Sequence, residues 1–163
     1  MVKSWWNRVL AEIFGRFNVA DNITRHLADL NEAVITENMV SWEQVITQIE
    51  TMLAKKTSKY WTTTKLDFIR AVALTEEARL FRAGLSRVYL TISTSQKHGL
   101  ERGDIFLRLI WNEKNVPVLE YRRFGKTSFQ TYPLNSFDDP LFQLLPYLKR
   151  MWYESQNKLK VAE

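Results

Sequence analysis

Residues 86–93 read SRVYLTIS, residues 104–111 read DIFLRLIW and residues 116–125 read VPVLEYRRFG. In each stretch apolar side chains alternate with others, the two-residue period of a strand buried on one face. Val88, Leu90 and Ile92 form one inward set, Ile105, Leu107, Leu109 and Trp111 the next, and Leu119 and Tyr121 a third. Asn112-Glu113-Lys114-Asn115 has the composition of a hairpin loop and Gly125-Lys126 that of a tight turn. Phe129 marks a short fourth strand. Pro117 belongs at a strand start or an edge, because it cannot donate to a ladder. The expectation for 86–132 is an antiparallel meander of about four strands.

Upstream the period changes to that of helices. Trp5, Trp6, Val9, Leu10, Ile13, Phe14 and Phe17 fill one half of a helical wheel, and Ser4, Asn7, Arg8, Ala11 and Gly15 the other. This first helix is either docked on its own domain or anchors a partner with its paired tryptophans. Asp21 or Asn22 caps a second helix carrying Ile23, Leu27, Leu30 and Val34. Ser41 with Gln44 has the spacing of a capping box and opens a third, with Trp42, Val45, Ile46, Ile49 and Leu53 on its apolar face. Residues 55–59, KKTSK, read as a solvated basic connector. Thr63 or Thr64 caps a fourth helix bearing Leu66, Ile69, Val72 and Ala73. It bends or restarts at Thr75-Glu76-Glu77 and is closed by Gly84. Downstream, Asp139-Pro140 opens a last helix with Leu141, Leu144, Leu145, Leu148 and Trp152 as its stripe, kinked or restarted at Pro146. Lys158-Leu159-Lys160 reads as a frayed basic end.

The fold class is therefore α+β, one domain over 1–163: a helical part over 1–84, the sheet over 86–132 and a C-terminal helix over 138–158. An apolar and aromatic fraction of 45% is enough for a core. The net charge of +5 is uneven, with 11 basic against 10 acidic residues up to position 84 and 12 against 8 after it. That mild bias suits acidic partners or nucleic acid but falls short of a committed nucleic-acid binder.

Chemistry-bearing motifs are few. No cysteine is present, which removes disulfides, thiolate metal sites and a cysteine nucleophile. Five glycines form neither a dinucleotide fingerprint nor a phosphate loop, and Gly125-Lys126-Thr127 lacks the upstream glycine such a loop needs. His98, near Glu101 and Asp104, has the residue types of a general base, although a loop histidine is more often simply solvated. His26 fits the edge of a packed helix face. Asp138 and Asp139 fit helix capping better than metal binding. The expectation is no cofactor, no metal site and no catalytic residue. The start MVKSWW lacks a secretory leader pattern, no run reaches the length of a membrane span, and a cytoplasmic protein is expected.

What remains is the outward side of the sheet. By parity it carries Tyr89, Phe106, Arg108, Ile110, Val118, Glu120, Arg122 and Phe124. Arginine forks among aromatics suit carboxylates, phosphates or stacked bases. The plainer reading is a cross-strand ladder in which Glu120 neutralises Arg108 or Arg122. Phe106, Ile110 and Val118 would not be needed on a fully solvated face, so the first helix or a partner should cover part of it. The expected function is non-enzymatic protein binding, as an adaptor, inhibitor or regulatory subunit. The partner-binding residues would be Trp5, Trp6, Tyr89, Phe106, Arg108, Arg122 and Phe124. A nucleic-acid binder using the basic sheet is the alternative, and a small enzyme centred on His98 a second. Another protein is the expected partner, and a second copy of the chain is compatible with it. Three basic residues on the first helix are too few to draw it to anionic lipid.

Overall fold

The computed structural model describes residues 32–95, 100–128, 130–134 and 140–161. The expected helix over 4–17 and the expected second helix up to residue 31, with Trp5, Trp6 and His26, lie outside the described residues, as do His98, Phe129, Asp138 and Asp139, while Val34 of that second helix falls in the helix Glu32–Ala54. The described chain is α+β. Helices α1 (Glu32–Ala54) and α2 (Thr63–Ala73) and a 3-10 turn (Glu77–Leu80) precede five strands, and helix α3 (Pro140–Val161) follows them. The strands are β1 (Arg82–Ser86), β2 (Tyr89–Ser93), β3 (Ile105–Trp111), β4 (Pro117–Arg123) and β5 (Gln130–Pro133). They form one antiparallel sheet in sequence order.

The sheet thus begins at Arg82, one strand earlier than the alternation suggests. Gly84 does not cap a helix; it lies in the middle of β1, opposite Thr91. Val88 is not on a strand but in the two-residue turn Arg87-Val88, where Arg87 takes a positive φ of 50°. The 112–115 loop is as expected. The Asn112 side chain accepts from the Lys114 and Val116 amides, and Asn115 adopts φ 57°. Gly125, at φ 82°, occupies a turn that favours glycine.

Ser41 is likewise not a cap. Glu37-Asn38-Met39-Val40 contains no helix breaker, so α1 runs through it as a single helix of 23 residues. The Ser41 hydroxyl donates to the Asn38 carbonyl and accepts from the Ala83 amide at 2.8 Å, tying α1 to the edge strand. The next residue, Trp42, donates its indole N–H to the carbonyls of Ala78 and Phe81 at 3.1 and 3.0 Å. The cap of α2 is Thr62, whose hydroxyl accepts from Lys65 N. The helix ends at Ala73, and the chain restarts as the 3-10 turn, whose Ala78 amide donates to Thr75 Oγ1. Helix α3 continues past Pro146 without restarting and reaches Val161.

All three helices pack on one side of the sheet. Trp42, Val45 and Ile49 of α1, Leu66, Ile69 and Val72 of α2, and Leu144, Leu148, Met151 and Trp152 of α3 share one core with the inward residues Ala83, Leu90, Ile92, Ile105, Leu107, Leu109, Trp111, Leu119 and Tyr121. The hydrophobic effect is answered on this side. The other side is where function has room.

Candidate functional site: the outer sheet face

Register assembles the outer face in rows. Arg82, Ser93, Phe106 and Arg122 lie opposite one another across β1 to β4. The next row is Gly84, Thr91, Arg108, Glu120 and Thr131. Ile110, Val118 and Pro133 form a third, next to Tyr89. The structure therefore brings together Tyr89, Phe106, Arg108 and Arg122 of the expected set. Phe124 follows the end of β4 at Arg123: its amide donates to Asp104 O at 2.8 Å and its carbonyl accepts from Gly103 N, which carries the pairing of β3 and β4 one residue further. Phe124 is 45% exposed at the sheet's end.

The polar groups of the face are engaged with each other. Arg122 Nη1 donates to Glu120 Oε2 at 2.9 Å, and Arg108 Nη1 lies 3.8 Å from the same oxygen. The Arg108 guanidinium stacks 4.3 Å above the Tyr89 ring centre and 5.9 Å from that of Phe106. The cross-strand ladder is thus present, with one carboxylate between two arginines. Outward does not mean exposed here. Phe106 is only 5% exposed although it stands on the side opposite the core. The Glu120 side chain is 13% exposed. Arg108 Nε is buried and has no hydrogen-bond partner among the described residues.

Near the expected loop base, Asp104 uses its carboxylate to accept from the Glu101 amide at 2.7 Å, so it closes its own bend. Among the described residues no three His, Asp or Glu side chains gather as a metal site, and no helix is long and apolar enough to cross a membrane.

Two clusters escaped the sequence reading. Lys65 is buried at 6% exposure, donates to the Tyr60 carbonyl at 2.7 Å and lies 3.7 Å from the Tyr60 ring centre, with Trp111 beyond. Burial holds its amine below the ordinary lysine value. Its position, one and two turns before Ile69 and Val72 on the buried stripe, was a usable signal. The second cluster joins β4, β5 and α3. Arg150 stacks 4.5 Å above the Tyr121 ring, pairs with Glu154 at 2.9 Å and reaches Gln130 and Tyr132. Burial, then the nearby Glu154 carboxylate, pushes the Tyr121 phenol well above its usual range. Nothing local in the sequence links those positions.

No protein-family model matches the chain, and neither a curated protein nor a solved structure matches it.

Proposed function

We propose that this chain is a non-enzymatic protein-binding module, an adaptor or regulatory subunit of the cytoplasm, acting through the outer sheet face. The observation that supports this most is the group Tyr89, Ile110 and Val118: partly exposed apolar side chains on the side of the sheet that no described helix covers. Such a patch, on the far side from a complete core, suits contact with another polypeptide. The arginines favour protein over nucleic acid. Both guanidinium groups already meet Glu120, and Arg108 is stacked on Tyr89, which leaves few free donors for phosphates.

The test is affinity capture with the full chain and two variants. Ile110→Glu places a charge on the outer face, and Val40→Glu places one on exposed α1. The proposal expects a captured protein to be lost with Ile110→Glu at an unchanged melting temperature and retained with Val40→Glu. The same proteins captured by all three would count against it.

A further inference from the structure

At one end of the sheet the chain makes two β-turns side by side. Asp104 N donates to Glu101 O and Lys126 N donates to Arg123 O, each at 3.0 Å. The third residue of each turn is a glycine at positive φ, Gly103 at 92° and Gly125 at 82°. Gly103 N donates to Phe124 O, and Phe124 N donates to Asp104 O. Two residues of one turn thus oppose one residue of the other, the pairing of a glycine bulge. Arg102 spans the two turns, with its Cγ 3.5 Å from the point where a Cβ on Gly125 would stand. Backbone bonds fix this end, and Arg102, Phe124 and Lys126 are exposed on it.

The charges there differ from those of the sheet face. Arg108 and Arg122 both meet Glu120. Arg102, Arg123 and Lys126 form no ion pair with a carboxylate among the described residues. The first turn also carries two acids, Glu101 and Asp104, and the Asp104 carboxylate accepts from the Glu101 amide. Phe124 stands among the three cations, two residues after Arg122, and is 45% exposed. An exposed ring among unpaired cations suits a ligand that is anionic and partly apolar. Three such ligands are possible in chemistry, and the geometry selects among them. Nucleic acid is held by longer rows of phosphate contacts, about six to ten in a strong binder. A bilayer needs a second anchoring signal beside a small basic cluster, and more than half of Phe124 is covered by its own turn. An acidic polypeptide needs neither. Its carboxylates match the planar forks of Arg102 and Arg123, and it can continue onto the outer sheet face, which begins at Arg122.

We propose that the sheet end formed by 101–104 and 123–126 docks an acidic segment of another protein, with carboxylates on Arg102, Arg123 and Lys126 and an apolar side chain on Phe124. This deepens the binding reading, on which it rests for the partner being a protein, by giving that partner its charge and its point of attachment.

The test uses the full chain and a fluorescein-labelled peptide of three Asp-Glu-Leu-Glu repeats, read by fluorescence anisotropy. A Lys-Lys-Leu-Lys counterpart, a mixed single-stranded oligonucleotide and phosphatidylcholine–phosphatidylserine vesicles are the comparison probes. The acidic peptide should bind saturably and the basic one should not. Arg102→Gln/Lys126→Gln and, separately, Phe124→Ser should each weaken binding about tenfold or more at an unchanged melting temperature. No binding of the acidic peptide up to about 1 mM overturns the proposal, and so does equal binding by the full chain and both variants. Tighter binding to the oligonucleotide or the vesicles, lost in the same variants, overturns it in favour of that ligand. Ile110→Glu should leave peptide binding intact. Peptide binding lost with Ile110→Glu and kept by Arg102→Gln/Lys126→Gln overturns this inference alone and leaves the outer-face reading standing.

Discussion

Arg122 and Glu120, two residues apart on β4, are joined by a 2.9 Å charge-assisted hydrogen bond on a face that no described helix covers. The same carboxylate faces Arg108 across the strand pair. Removing its charge weakens the bond to Arg122 and takes away the carboxylate that faces Arg108. Glu120→Gln should lower stability by about 1–3 kcal/mol, the usual cost of weakening a partly buried charge pair. Urea unfolding of the two proteins measures it; an unchanged midpoint would mean the ladder adds nothing.

The same geometry predicts weak binding to nucleic acid. With Arg108 and Arg122 occupied, mixed single-stranded oligonucleotides should bind weakly by fluorescence anisotropy. The double variant Arg108→Gln/Arg122→Gln should leave the salt slope as it was. Were both arginines phosphate contacts, the slope of log affinity against log salt would drop by about two.

Trp42 fastens α1 to the 3-10 turn through two carbonyls. Trp42→Phe keeps much of the apolar contact and deletes both hydrogen bonds, so about 2–4 kcal/mol of stability should be lost. A thermal melt followed by circular dichroism reads this directly. A change below about 0.5 kcal/mol would be within the range of surface substitutions and would contradict the buried position.

How far the sequence carried this picture differs from residue to residue. Alternation over 105–111 placed Ile105, Leu107, Leu109 and Trp111 in the core correctly, because strand parity is a local property. Parity also assigned Phe106 and Arg108 to the other side, but side is not exposure: Phe106 is buried there. Arg82–Ser86 was missed since RAGLS has a glycine at its centre and only a weak apolar alternation. The Ser41-Gln44 spacing imitated a helix start, while its real bond to Ala83 spans 42 positions. Lys65 is buried because the rings of Tyr60 and Trp111, distant in sequence from each other, meet around it, which no local pattern encodes.

Alkaline pH should expose the buried phenol of Tyr121. Its folded-state value lies above the ordinary 10.0, so its contribution is complete below pH 10 and is lost as pH rises through the folded value. Tyr121→Phe should therefore flatten the fall in stability above about pH 10. Lys65 works in the other direction. Its folded-state value is depressed from 10.5, so the unfolded chain holds more protons just below that pH and stability rises toward it. Lys65→Met should remove that rise. Denaturant midpoints from pH 7 to 11.5 check both signs.

Photo-crosslinking tests the outer face as a protein-binding surface most directly. A benzophenone amino acid is placed at Thr91, in the row with Arg108 and Glu120, and in a separate sample at Gln48, on the exposed side of α1. The full chain is irradiated in cells and its adducts are sized and identified. The account predicts a discrete adduct with another polypeptide from Thr91 and none of that mass from Gln48. Thr91 samples that yield only the uncrosslinked chain or a nucleic-acid adduct would contradict it.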